Sequence, residues 1–413
     1  MRSLNVLWLS HLVPFPPKAG VLLRSYHLVR ELARRNALDL VAFTQRNLLA
    51  PIYADVDLGL DEARAALSEY CRSVEFVPLP SDAHRRGREL MAARSLLSGR
   101  AYNELWATSR AYRSRVEEAI AARPYDVVHF DTISLMQYAD LVPTGVATVL
   151  DHHNIESHML ERRAENESHP LKRRYFSLEA RRVEALEKTW CPRVDLNIVC
   201  SDMDGERLAE IAPGATIATV PNGVDVGFFD APAGGERAQR IVFVGTLDWY
   251  PNTAAVRYIA HEIWPLLRER LPDLECDIIG GGAPEDLVAF AQNDPRFHVH
   301  GFVDDIHPWL EQAVAYVCPI RDGGGTKLKI LDALAMSKAI VAHPIACEGI
   351  EVTPGIDVLF AESPQDFVDA VVRLQADAEL RGGIERNARR LAEERYAFSS
   401  IGDAFQSLLE SLR

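Results

Sequence analysis

Short apolar runs alternate with amphipathic, helix-spaced stretches along the whole chain. Six runs lie in the first half, at Val6–Ser10, Leu38–Phe43, Ser73–Val77, Val127–Phe130, Thr148–Asp151 and Leu196–Cys200. Six more follow, at Ile241–Val244, Glu275–Ile279, Phe297–His300, Val314–Cys318, Ala339–Ala342 and Asp357–Phe360. Runs this short and continuously apolar predict strands buried on both faces, and the helical stretches between them supply parallel crossovers. Each half therefore predicts its own doubly wound α/β sheet. Phe229–Glu236, with proline, two glycines and alanines, is the most linker-like stretch. The halves share this pattern without an obvious sequence repeat. Ligands of open parallel sheets bind beyond the carboxyl ends of the strands, so the informative residues are those that follow each run.

A chain of 413 residues exceeds one ordinary core, which agrees with two domains. Its 48% hydrophobic and 25% charged residues are those of a water-soluble globular protein. The net charge of −14 argues against non-specific nucleic-acid binding. Residues 1–225 hold 28 Lys/Arg against 30 Asp/Glu, leaving 17 against 29 for residues 226–413, so the second half carries −12 of the total. The six cysteines form no C-x-x-C pair, and several sit in apolar runs, which predicts buried free thiols. Leu4–Leu9 is too short for a secretory core, and no 18 apolar residues run together. The expected location is cytoplasmic.

The richest chemistry follows the run Val314–Cys318. Asp322, Gly323, Gly324, Gly325, Thr326, Lys327 and Lys329 open a helical pattern that carries Asp332. A strand feeding a glycine turn and then a helix presents free backbone N–H groups to a phosphate. Only six lysines stand against 39 arginines, and two of the six are Lys327 and Lys329. The segment is not a Walker A loop. Asp332, one to two turns into the helix, suits either a ribose hydroxyl or solvent. Gly245 and Thr246 follow the first run of the second half, where phosphate or sugar contacts are expected.

In the first half, the loop His11–Gly20 lacks G-x-G-x-x-G, which weakens a dehydrogenase reading. Gly20 and Arg24 either shape the turn or present backbone and a cation to a ligand. His152 and His153 leave a strand end on opposite sides. Two diverging histidines without a third suitably spaced ligand argue against a metal and for a hydrogen-bonding or acid/base group, with His153 preferred. Pro221-Asn222-Gly223 reads as a turn. Asp55/Asp57 and Asp202/Asp204 match D-x-D, but neither has a convincing context, so no metal site is assigned.

Taken together, these motifs resemble glycosyltransferase family 4, retaining GT-B enzymes that use nucleotide sugars. The resemblance rests on the first loop, the histidine-bearing strand end, Pro221-Asn222-Gly223-Val224-Asp225, Phe243-Val244-Gly245-Thr246, and Gly325 through Met336. His300–Asp305 resembles the family loop that borders the nucleobase. The resemblance implies two Rossmann-like domains facing across a cleft. Residues 1–228 would bind the acceptor and 237–395 the nucleotide sugar, and the terminal helix (396–413) would pack back on the first domain. It implies catalytic or donor roles for His153, His152, Lys327, Lys329, Gly245, Thr246, Asp322, Gly324, Gly325, Thr326 and Asp332, and acceptor-side roles for Gly20, Arg24 and Asn222. It also implies a hexosyl transfer without metal or other cofactor, onto a glycan, lipid-linked or small-molecule acceptor, of the kind used in polysaccharide biosynthesis. One departure matters. The family's E-x7-E motif has its second carboxylate shortened to Asp332, and its first falls on Gly324; Asp322 is the candidate replacement.

Two other readings remain at this stage: a catalytically silent nucleotide-sugar-binding protein, suggested by Gly324, and a GT-B sugar-nucleotide epimerase. Arg174, Arg181 and Lys188 recur every seven residues beside Arg173 and Arg182 on a helical pattern. That stripe is either a solvated face or a peripheral contact with the inner face of an anionic membrane.

Overall fold

The computed structural model of the chain describes residues 3–17, 20–50, 53, 55–83, 87–230, 237–323 and 325–412. Lys18, Ala19, Gly324 and the 231–236 part of the linker-like stretch lie outside the described residues. The chain divides into two compact units. The first is Met1–Pro221 with Gly402–Arg413, and the second is Asn222–Ile401.

The first unit contains β1 (Asn5–Ser10), β2 (Ala37–Thr44), β3 (Ser73–Pro78), β4 (Val127–Phe130), β5 (Ala147–His152), β6 (Leu196–Val199) and β7 (Ile217–Thr219). They form one sheet in the order β3-β2-β1-β4-β5-β6-β7, with every pairing parallel. Leu7, Leu9, Val128, Phe130, Val149 and Leu150 are buried and hold the central strands in register, with Leu9 opposite Phe130 and Phe130 opposite Leu150. Burying each such side chain contributes about 1.5–3 kcal/mol. All the sequence-predicted strands are present. The unpredicted one is β7, a three-residue edge strand too short and too exposed to read as an apolar run.

The second unit contains β8 (Arg240–Val244), β9 (Glu275–Ile279), β10 (Phe297–Val299), β11 (Ala315–Cys318), β12 (Ile340–Ala342) and β13 (Leu359–Phe360). Their order is β10-β9-β8-β11-β12-β13, again all parallel. Its core is built on Phe243, Ile278, Tyr316, Leu331 and Leu334. The six cysteines are free and buried.

Both sheets start in the middle, run outward, and cross back to the other side of their first strand. The reversal lies between β1 and β4 in one unit and between β8 and β11 in the other. Loops leave in opposite directions at such a point and open a crevice at the strands' carboxyl ends.

The helix Phe398–Ser411 closes the chain. Beyond Gly402 it packs in the first unit. Phe405 and Leu409 are buried, Asp403 pairs with Arg35, and a Cβ on Gly402 would meet Glu31 Cβ at 2.5 Å.

Candidate functional site

In the first unit, three neighbouring strands each deliver a polar residue at their carboxyl end: His11 after β1, Asp131 after β4 and His153 after β5. Asp131 is fully buried. It accepts hydrogen bonds from Ser10 Oγ at 2.8 Å, Ser25 Oγ at 3.1 Å and His153 Nε2 at 3.0 Å. His11 Nδ1 stands 3.3 Å from its other oxygen. Burial alone would raise the Asp131 pKa, but the charge of His153 and the two adjacent imidazoles outweigh it and hold the carboxyl well below its usual range. His153 is the complement: burial lowers its pKa, and Asp131 more than reverses this, so the net shift is upward. With Nε2 held by the carboxylate, Nδ1 is the nitrogen left to meet a ligand.

His152 points the other way, as alternation along a strand requires. It is buried, with Nε2 3.1 Å from Asn197 Oδ1, and burial lowers its pKa. His152 is thus removed from the candidate site and becomes a packing residue. Arg24 also departs from expectation. Its guanidinium is buried, bonds both oxygens of buried Asp151 at 3.1 and 3.0 Å, and donates to the carbonyls of Val220 and Pro221. An isolated buried Asp151 would be costly, so this cation neutralises the interior rather than meeting a ligand. Gly20 begins the Gly20–Ala33 helix that carries Arg24. Asn222 is half-buried at the start of the second unit, where a Cβ on the next residue, Gly223, would strike Phe398 and Ile401 at 2.7 and 2.8 Å.

The sequence offered the histidine pair no third ligand. The fold supplies two, because His11, Asp131 and His153 hold ligand atoms within 4.8 Å of one another. Two imidazoles and one carboxylate are a chemically suitable set for a transition metal. The two D-x-D pairs are engaged otherwise. Asp55 and Ser201 cap helices, Asp57 pairs with Arg46, Asp202 accepts from Thr219, and Asp204 accepts from Ser201.

In the second unit, a cavity of about 170 Å³ lies beyond β8 and β11, lined by Trp249, Pro251, Asn252, Ile320, Asp322, Gly323, Thr326, Lys327 and Lys329. The Leu328–Ala335 helix starts here with no side chain capping it, so its first N–H groups have no side-chain acceptor. Lys329 Nζ donates to Asn252 Oδ1 at 2.5 Å and lies 4.8 Å from the centre of the Phe243 ring. Burial lowers its pKa to about 8. Lys327 Nζ instead donates to the carbonyls of Gly323 at 2.6 Å and Gly325 at 3.0 Å, bracing the loop. Asp322 accepts from the Gly323 N–H. Thr326 Oγ1 is buried and has no hydrogen-bond partner among the described residues. A buried hydroxyl on a cavity wall loses free energy unless something in the cavity bonds it. Asp332 is pushed up to about 7 by burial, which Lys329 and His307 partly offset.

Gly245 leaves room for two side-chain ends that a larger residue would displace. A Cβ there would collide with Lys329 Nζ and lie 2.9 Å from Asn252 Nδ2. Opposite it is Gly280, whose φ is +150° and whose Cβ would overlap the Gly245 carbonyl oxygen. The second glycine triplet, Gly280-Gly281-Gly282, therefore lets the loop after β9 touch the loop after β8. It follows an apolar strand just as Gly323–Gly325 does, and that same signal could have found it. Gly280→Ala should cost about 1–3 kcal/mol. Gly281→Ala, whose Cβ would meet only Phe302 Cβ at 3.8 Å, should be near neutral, and thermal melts of the two variants check the contrast.

Comparison with known families agrees with this geometry. Residues 19–228, half of the chain, match Glycosyltransferase Family 4, and residues 238–377 match Glycosyl transferases group 1. The chain belongs to glycosyltransferase family 4. Among curated proteins none matches. HepE from Anabaena, solved with UDP, is similar over 98% of this chain and 100% of its own, at 14% identity and a TM-score of 0.67. Sucrose-phosphate synthase from Thermosynechococcus elongatus is similar over 99% of both chains, at 14% identity and a TM-score of 0.63. A TarM variant from S. aureus, in complex with fondaparinux, α-GlcNAc-glycerol and UDP, is similar over 98% of this chain and 99% of its own, at 10% identity and a TM-score of 0.65. At these identities the likeness shows the fold, which is that of GT-B glycosyltransferases. The residues of this arrangement that the sequence did not single out are Asp131, Asn252 and Gly280–Gly282, while His11 was read only as part of the first loop.

Proposed function

We propose that this glycosyltransferase moves a hexosyl group from a nucleotide sugar to a glycan, lipid-linked or small-molecule acceptor, with retention of anomeric configuration. The observation that carries the donor assignment is the cavity in the second unit. It gathers a lysine ammonium, an uncapped helix start and the unpartnered Thr326 hydroxyl around a space suited to a diphosphate. UDP is the first diphosphate to test, since HepE has been solved with UDP-glucose as well as UDP.

In the reaction, the bond from the anomeric carbon to the diphosphate oxygen breaks, and a bond to the acceptor oxygen forms on the same face. The acceptor proton passes to the leaving diphosphate. Charge growing on that group is met by Lys329 and the amides at the start of the Leu328–Ala335 helix, which are already oriented and need no reorganisation. Thr326 bonds a phosphate oxygen, and Asp332 accepts from a donor hydroxyl. Lys327 acts one step removed, by holding the glycine loop. In the first unit, which takes the acceptor, His153 uses Nδ1 to orient the reacting hydroxyl while Asp131 fixes the ring.

This reading needs no metal, so turnover should persist in excess EDTA. Loss of turnover on chelation, restored by a divalent cation, would overturn metal independence and assign the cation to His11, Asp131 and His153. The glycine at position 324 supports a second reading, a nucleotide-sugar-binding protein without turnover. A donor that binds but is not consumed with any acceptor of a broad panel would favour it.

A further inference from the structure

Among the described residues, one group of metal-ligating side chains has the spacing of a binding site: His11, Asp131 and His153, with ligand atoms within 4.8 Å of one another. A tetrahedral ion with bonds of about 2.0–2.1 Å to nitrogen and oxygen holds its ligand atoms about 3.3 Å apart. His11 Nδ1 is 3.3 Å from one Asp131 oxygen, and His153 Nε2 is 3.0 Å from the other. Both imidazoles thus stand at coordination spacing from the carboxylate.

The surroundings favour a cation. His11 Nδ1 is buried, and among the described residues it has no hydrogen-bond partner, since its approach to Asp131 does not make one. A buried nitrogen in that state is stabilised by a ligand that bonds it. The Ser10 and Ser25 hydroxyls bond Asp131, as outer groups do for a ligating carboxylate. Arg24, a nearby cation that would oppose a metal, is neutralised by Asp151. The side chains of His11 and His153 are 16% and 11% exposed, which leaves an edge where an ion can enter. His298 and His300 differ in this respect. They stand 3.1 and 2.7 Å from Glu275 and Asp277, but Arg240 pairs with both acids and balances their charge.

We propose that His11, Asp131 and His153 bind a divalent transition ion of the Zn²⁺ or Co²⁺ class, and that this ion inhibits sugar transfer. Two imidazoles select such an ion over Mg²⁺ or Ca²⁺, which favour all-oxygen sites. The inhibition rests on the role given above to His153, and it follows from the ring's tautomer. In the ion-free protein, neutral His153 donates Nε2–H to Asp131, so Nδ1 faces a ligand as an acceptor. An ion takes the Nε2 lone pair, and the ring proton then sits on Nδ1. The hydrogen bond that fixes the ring is lost, and Nδ1 meets the reacting hydroxyl as a donor. Donor binding, which belongs to the second unit, is untouched.

The test reads binding and turnover separately. The full chain, stripped with EDTA and exchanged into chelator-free buffer, is titrated with Co²⁺, whose visible d–d absorption reports coordination. One saturable site is expected, displaced by Zn²⁺ and indifferent to excess Mg²⁺. His11→Gln should weaken Co²⁺ binding by about 10²-fold or more, beyond what losing an outer-shell partner costs. His298→Gln and Lys329→Ala should leave it unchanged. X-ray absorption of the Zn²⁺-bound wild type needs no variant, and should show two imidazoles at about 2.0–2.1 Å. In a direct assay of nucleoside-diphosphate release, Zn²⁺ should lower wild-type turnover at least about tenfold. His11→Gln should keep most of its own metal-free rate under the same Zn²⁺. No saturable Co²⁺ signal, a signal that folded His11→Gln retains, or fewer than two imidazoles on Zn²⁺ would overturn the site. A bound ion that leaves turnover unchanged or raises it would overturn the inhibition. The binding arms use neither donor nor acceptor, so their failure is distinct from failure of the transferase reading.

Discussion

Replacing His153 by alanine should lower turnover by about 10²-fold or more, with the fold retained, whereas His152→Ala should chiefly lower stability. The two imidazoles are adjacent in sequence but serve different surroundings. His153 sits at the end of β5 with its side chain only 11% exposed and one nitrogen fixed by Asp131, so its loss removes an oriented group from the strand ends. Asp131 would still accept from Ser10 and Ser25, which limits the structural damage. His152 is buried against Asn197, and truncating it leaves a cavity and an amide oxygen short of a partner. That loss is worth about 2–3 kcal/mol. Release of nucleoside diphosphate in a coupled assay, together with thermal melts, separates the outcomes. Equal, modest losses of activity from both variants would make the strand end a structural loop.

Lys329→Ala should weaken nucleoside-diphosphate binding by about 1.5–3 kcal/mol, roughly 10- to 150-fold, and Lys327→Ala should do so far less. Residues two apart near a helix start point in different directions, and here the division is visible. Lys327 is turned back onto the carbonyls of its own loop, while Lys329 lies in the cavity between Asn252 and Phe243. Because burial lowers the Lys329 pKa to about 8, affinity should also fall as pH rises through that value and the amine loses its proton. A bound diphosphate opposes the loss, so binding above that pH should take up a proton. Calorimetric titration at two pH values measures both effects. Unchanged affinity in both variants, with the fold intact, would remove the phosphate-loop assignment.

Most of the architecture was legible because parallel strands are buried on both faces and read as continuous apolar runs. Even the strand carrying His129, and the one ending in Asp151 and His152, kept enough apolar positions to be recognised. The half-exposed edge strand Ile217–Thr219 did not. In the second unit the site was partly legible, because strand, glycine turn and helix are consecutive in sequence and lysine is scarce in this chain. Of the first unit's site only His153 was. Asp131 is 120 residues from His11 and 22 from His153, and only the strand order β1-β4-β5 brings them together. Arg24 was misread for the same reason. Its position near a helix start suits a ligand contact, and the buried carboxylate that claims it, Asp151, is 127 residues away.

The central claim is that the second unit binds a nucleotide sugar. Ligand-observed NMR of the full chain against a panel of nucleotide sugars tests it before any acceptor is known. The account predicts saturation transfer to the sugar and base protons of at least one member, UDP-sugars first, with the signal competed by the free nucleoside diphosphate and lost in Lys329→Ala. No transfer to any member, or transfer that Lys329→Ala leaves unchanged, would contradict it.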